Sequence, residues 1–211
     1  MKSILSLGLI TFALTFCGLG DKLKQLSGST DGGTNSASSN SSKTSTGSVE
    51  KPKLTAAQQS IMDGATEVSW DAQGISWRLP SGWNKMSVLK ESLNYGSPAT
   101  GFLIASISVM PDNFPSESSI EAYYTGALEQ LKQGKYENVR WLEIDGVKGV
   151  EWIEAMPEIR DGARRHQWIA ARRYQGQNQQ LNIMISTDGD KFDKHRDAFA
   201  AIMYSMKIPK G

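Results

Sequence analysis

Apolar positions in the C-terminal three quarters of the chain switch repeatedly between a spacing of two and a spacing of three to four, the signatures of strands and helices. Thr55 to Gly64 predicts a short helix, with Ala56, Ala57, Gln58 and Gln59 as good formers and Gly64 as its stop. Val68-Ser69-Trp70 and Ile75-Ser76-Trp77-Arg78-Leu79 alternate, which predicts two paired strands about a turn at Asp71 to Gly74. Val88 to Tyr95 and Gly101 to Met110 predict a second pair about Gly96-Ser97-Pro98. The run Phe102 to Ala105 with Ile107 is the most apolar of this region, so that strand is expected to be central and Ile104 to lie in the core. Ser118-Ser119-Ile120-Glu121 has the spacing of a capping box and predicts a helix whose stripe is Ile120, Tyr124, Ala127, Leu128 and Leu131, closed by Gly134.

Asn138 to Ile144 and Val147 to Ala155 flank Asp145-Gly146, the strongest hairpin signal in the chain. A two-residue turn there sets Glu143 opposite Lys148 and Ile144 opposite Val147. Arg164 to Tyr174 and Gln180 to Thr187 predict another pair across a loop from Gln175 to Gln179. Setting Ile169 opposite Ile185, Ala171 opposite Ile183 and Arg173 opposite Leu181 buries one coherent face. The other face then carries Arg164, His166, Trp168, Arg172 and Tyr174 toward solvent. A last helix, Asp190 to Tyr204, turns Phe192, Phe199, Ile202 and Met203 inward, and the chain ends extended at Met206 to Ile208. Hairpins rather than crossovers join the strands, so the expected class is α+β: an antiparallel β-sheet of hairpins flanked by helices.

The N-terminus has a different grammar. Met1-Lys2 followed by apolar residues from Ile4 to Phe16 reads as a signal peptide, residues 1–17. As a helix that stretch would reach about 20 Å, short of a hydrocarbon core of about 30 Å. Leu14-Thr15-Phe16-Cys17 resembles the lipobox of bacterial lipoproteins, although Phe16 stands where Gly, Ala or Ser is usual. The resemblance implies a thioether-linked lipid on Cys17 and anchoring of the chain in the bilayer, with palmitate or similar acyl chains. The rival is ordinary cleavage after Gly20, at the small residues Gly18 and Gly20, giving a soluble secreted protein. The position of the only Cys, directly after the apolar stretch, favours lipidation. Gly18 after that Cys favours the outer membrane or periplasmic face in a double-membraned cell. Residues 18–53 are expected to be a flexible tether, since from Ser27 to Ser48 all but Asp31, Ala37 and Lys43 are Ser, Thr, Gly or Asn.

Composition then narrows the chemistry of the folded part, residues 54–211. The chain of 211 residues has 23 basic and 22 acidic residues, which gives no reason to expect nucleic acid as a partner. One Cys and two His cannot build an internal disulfide or a zinc cluster, and no metal is expected. There is no Gly-rich phosphate loop, G-x-S-x-G elbow, H-E-x-x-H or EF-hand spacing, so no cofactor or catalytic residue is assigned. Asp161 with His166 and Asp193 with His195 are the only candidate acid–base pairs, and residues two apart on a helix do not face one another. The acidic run Glu151, Glu154, Glu158, Asp161 has no calcium-loop frame. The candidate binding residues are therefore Arg164, His166, Trp168, Arg172 and Tyr174, a cationic and aromatic platform for an anionic ligand or an envelope protein partner, with Arg172 foremost.

The succession of elements, with Ile75-Ser76-Trp77-Arg78-Leu79-Pro80-Ser81-Gly82-Trp83, Ile144-Asp145-Gly146-Val147-Lys148-Gly149 and Ser205-Met206-Lys207-Ile208, resembles the PsbP-like/DcrB-like family over about residues 66–208. The resemblance implies an α/β/α sandwich and, with the lipobox, the bacterial lipoprotein branch. It carries no catalytic residues. The expected function is a membrane-anchored, non-catalytic accessory or binding lipoprotein of the bacterial cell envelope. The alternatives are an envelope hydrolase or transferase with an unrecognised site, or a structural spacer.

Overall fold

A computed structural model describes residues 48–209. The chain divides into two units, Met1–Lys43 and Thr44–Gly211, and everything described belongs to the second. The expected signal peptide, Cys17 and most of the expected tether lie outside the described residues.

Thr55 opens helix α1 (Ala56–Met62) with a complete capping box: its hydroxyl accepts from the Gln58 N–H at 3.2 Å, and the Gln58 side chain accepts from the Thr55 N–H at 3.1 Å. Strands β1 (Thr66–Trp70) and β2 (Ile75–Leu79) pair with Val68 opposite Trp77, as the alternation predicts, but form a small sheet of their own. The next strands are β3 (Asn84–Val88), β4 (Ser92–Ser97) and β5 (Gly101–Met110), a three-strand meander where the pattern predicts two strands. β3 escapes the pattern because it is an edge strand with four of its five residues exposed, so nothing enforces alternation along it. Helix α2 (Ser116–Lys132) leads to β6 (Tyr136–Ile144), β7 (Val147–Glu154), β8 (Ala163–Tyr174), β9 (Gln177–Asp188) and helix α3 (Gly189–Tyr204).

The large sheet has seven antiparallel strands in the order β3-β4-β5-β9-β8-β7-β6. One face packs against α1, α3 and the small sheet around a core that includes Trp70, Trp77, Leu103, Ile183, Ile185, Phe192 and Phe199. On the other face α2 covers β6, β7 and β8, burying Ile120 and Ala127 against Trp141, Val150, Trp152 and Ile169. The result is an antiparallel sheet between helix layers, α+β as expected.

Four local expectations are corrected. Helix α2 starts at Ser116, with Pro115 at its N-cap and no side-chain cap, because Pro115 holds a φ of −77° suited to a helix start. Ser118 is thus inside the first turn and its capping box does not form. In β5, Leu103, Ala105 and Ile107 point into the core, while Phe102 and Ile104 are on the outer face, with Ile104 36% exposed.

The third correction concerns β8 and β9, which are joined by a two-residue turn, Gln175-Gly176, with φ of 49° and 77°. Ile169 therefore lies opposite Asn182 rather than Ile185. A shift of three residues is odd, so it turns the strand over and sends Arg164, His166, Trp168 and Arg172 to the core face. Finally, the folded unit begins before Leu54. Glu50 donates its N–H to the Trp141 carbonyl at 3.1 Å and accepts from the Glu143 N–H at 2.8 Å, pairing parallel to β6. Residues 50–53 are thus part of the domain and not of a free tether.

Candidate functional site

The expected platform resolves into separate internal anchors. Arg164, 2% exposed, donates from Nε to the Glu154 carbonyl at 2.7 Å, from Nη1 to Asp193 at 3.0 Å and from Nη2 to Glu137 at 2.5 Å, with its guanidinium 4.5 Å from the Phe192 ring centre. It ties β8 to β6 and α3. Trp168 is fully buried and donates its indole N–H to the Leu142 carbonyl at 3.1 Å. At the far end of β8, Arg172 lies 4.3 Å from the ring centre of Tyr174, which is half-buried beside Gly74 and Pro209. Arg164 and Trp168 are closed off from solvent, whereas Arg172 lies beside a cavity at the end of β8.

His166 belongs to a third network. Its Nε2 is 2.8 Å from Glu151 Oε1, which also accepts from the Tyr204 hydroxyl at 2.8 Å. Glu151 Oε2 accepts from Arg140 Nε at 2.5 Å, and Arg140 goes on to Glu50 at 2.7 Å and Tyr204 at 2.8 Å. Burial alone would raise the Glu151 pKa, but the His166 and Arg140 hydrogen bonds and charges outweigh it and hold the carboxyl at about 2. Burial and the neighbouring Glu151 charge push the Tyr204 hydroxyl up. The group has the composition of an acid–base site, yet Glu151 and His166 are sealed from solvent, so no substrate meets them.

The other candidate pairs do not form. His166 takes Glu151 rather than Asp161, and Asp193 is held by Arg164 and Arg196 rather than by His195. Among the described residues no group of three or more His, Cys, Asp or Glu could hold a metal ion.

What the fold leaves open lies on the α2 side of the sheet. A groove of about 670 Å³ runs between α2 and the strands, lined among others by Tyr123, Tyr136, Trp152, Gln167 and Asn182. No Asp, Glu, Lys, Arg or His lines it. Tyr136 and Trp152 stack on its floor with ring centres 5.7 Å apart, and Gln167 donates to Asn182 at 2.7 Å, satisfying part of each amide. The buried Trp152 indole N–H has no partner among the described residues. Cross-strand neighbours continue this floor past the helix: Trp152 faces Gln167, Gln167 faces Met184, and Met184 faces Ile104. Beyond it, Met86 and the Phe102 ring lie over Gly96, whose missing side chain makes room for them. Met86 and Phe102 are 61% and 47% exposed, so with Ile104 they form an apolar patch among the polar residues of this uncovered part of the sheet face.

Sequence reasoning misses this surface because Phe102 and Ile104 are as apolar as the core residues they alternate with. The polar residues between Gln180 and Ser186 on β9 are the available signal that this face meets water.

No protein-family model matches the chain, and no curated protein matches it in sequence. Solved structures do. The chain is similar to the cyanobacterial PsbP (CyanoP) of Synechocystis sp. PCC 6803, at 15% identity and a TM-score of 0.44, over 68% of this chain and 92% of that one. A PsbP therefore stands among its structural neighbours. Others are LpqN of Mycobacterium tuberculosis, described as involved in cell envelope biogenesis, at 14% identity and a TM-score of 0.49 over 69% and 86% of the two chains, and a protein of Bacteroides thetaiotaomicron VPI-5482 at 16% identity and 0.42 over 64% and 45%. The chain thus spans less than half the length of the Bacteroides protein. Among the described residues no helix is long and apolar enough to cross a membrane.

Proposed function

We propose that this protein is a non-catalytic accessory domain of a bacterial cell envelope, anchored through a lipid on Cys17, and that it engages an envelope protein through the uncovered half of its sheet. The observation that carries the reading is the exposed row Met86, Phe102 and Ile104 running into a groove without charged residues. Such a surface suits an uncharged, apolar segment of a partner, since a charged one would lose its hydration with nothing in the groove to replace it. The sealed state of Glu151 and His166 supports a binding role over a hydrolytic one.

The proposed docking patch lies away from the point where the chain enters the domain. The chain enters the domain beside β6, at one edge of the sheet, and Phe102 and Ile104 lie four strand spacings away on β5, about 19 Å across the sheet.

The test is a photo-crosslinking side chain at Ile104, with Lys194 on α3 as a control position, in intact envelopes. The expected result is one dominant protein captured from position 104 and not from 194. Purified, that protein should bind Phe102→Glu at least tenfold more weakly than the natural chain at equal folded stability. Equal capture at both positions, or undiminished binding by Phe102→Glu, would overturn the reading.

A further inference from the structure

Strands β7 and β8 part company at one end of the sheet. Their pairing runs from Ile153 opposite His166 to Gly149 opposite Ala170, but β7 begins two residues earlier and β8 continues to Tyr174. The splayed strands leave a cavity of about 330 Å³ lined by Lys148, Arg172 and Arg173, with Asp145, Ile208 and Pro209 among the other residues around it.

The charge in this cavity is unbalanced. Arg172 is 9% exposed and forms no ion pair among the described residues. Its Nε donates to Gln179 at 2.9 Å and its Nη2 to the carbonyl and side chain of Gln73 at 3.1 and 3.0 Å, while its buried Nη1 has no acceptor among the described residues. Both side-chain acceptors are amides. They satisfy hydrogen bonds and leave the positive charge uncompensated, which is costly for a buried cation unless an anion completes the site. Desolvation accordingly lowers the Arg172 pKa to about 10. Lys148, 4.1 Å from the Trp141 ring centre, and the exposed Arg173 likewise form no ion pair among the described residues. The one acid in the lining, Asp145, is already engaged by the Ile208 N–H at 2.8 Å and by Lys207 at 3.5 Å.

We propose that this cavity is a phosphate site, in which Arg172, Lys148 and Arg173 hold a phosphate group supplied by a lipid headgroup or by a free phosphate compound. Three cations around one cavity suit a dianion: Lys148 and Arg173 reach it from exposed positions, and the buried Arg172 adds an uncompensated charge at its wall, its sealed Nη1 being reached only when the side chains around it move. The site is separate from the groove beside α2 and does not depend on the reading of that groove.

The experiment is titration of the full chain with inorganic phosphate at constant ionic strength, followed through backbone amide signals. Saturable shifts are expected at Gly146 to Lys148 and Ala171 to Arg173. The double variant Lys148→Ala/Arg173→Ala changes only exposed side chains and should fold, and its affinity for phosphate should fall at least tenfold. Arg172→Gln, checked for folding by its amide spectrum, should abolish the shifts. Co-sedimentation with phosphatidylglycerol vesicles separates the sources: greater retention of the natural chain than of the double variant assigns a lipid headgroup, and equal retention assigns a free phosphate. Equal phosphate affinity in the natural chain and the double variant, or no saturable shift in either, would overturn the proposal.

Discussion

Glu151 gathers its neighbours from a position that solvent does not reach. Its carboxylate is fully buried, takes hydrogen bonds from Arg140 and Tyr204 and faces His166, joining β6, β7, β8 and α3 through one side chain. The carboxyl is held at about 2 against an ordinary 4.5, so the folded state favours its ionised form. A depressed carboxyl stabilises the fold fully above the unfolded value and loses that contribution as pH falls through the folded one. The loss should therefore develop between about pH 4.5 and about pH 2 and amount to roughly 3 kcal/mol. Urea denaturation at a series of pH values should show the decline, and Glu151→Gln should be destabilised by about 3–5 kcal/mol at pH 7 with a flatter profile below pH 4.5. An identical acid limb in the variant would mean that other carboxylates govern acid unfolding.

Among the elements, two hairpins with the same kind of turn differ in how plainly the sequence declares them. Asp145-Gly146 is legible because Asp and Gly both tolerate positive φ, here 47° and 88°, and Glu143 stands opposite Lys148 as the pattern requires. Gln175-Gly176 adopts the same geometry with φ of 49° and 77°, but Gln rarely occupies such a position, so the pattern points to a longer loop and a different register. That difference in register is the whole reason the pattern assigns Arg164, His166, Trp168 and Arg172 to a solvent face. Relieving the strain should help: Gln175→Asn is expected to raise stability by about 0.5 kcal/mol or more, read from the denaturation midpoint. On β5 the alternation makes a paired forecast. Leu103→Ala, at a fully buried position, should cost about 2–5 kcal/mol, whereas Ile104→Ala should cost about 1 kcal/mol or less. Equal losses at the two positions would contradict the assignment of Ile104 to the outer face.

At the scale of the molecule, the order of helices and hairpins is legible because it rests on long periodic segments, while the domain boundary is not. Composition places the boundary at Leu54, since Ser, Thr and Gly dominate before it, but a strand edge recruits backbone groups whatever side chains they carry. Glu50 shields the β6 edge with two backbone hydrogen bonds, its carboxylate pairs with Arg140 at 2.7 Å, and Lys51 pairs with Glu143 at 3.0 Å. The two ion pairs are partly exposed and contribute little, so most of the effect comes from the backbone bonds and from covering an edge that would otherwise invite another strand. A chain begun at Leu54 should therefore be less stable than one begun at Ser48 by about 1–3 kcal/mol. Its Glu143 amide, which donates to Glu50 in the longer chain, should exchange with solvent faster, and its β6 edge should make it more prone to self-association. Chemical denaturation and hydrogen exchange on the two chains decide the matter: matching midpoints with an equally protected Glu143 amide would return the boundary to Leu54 and make residues 48–53 part of the tether.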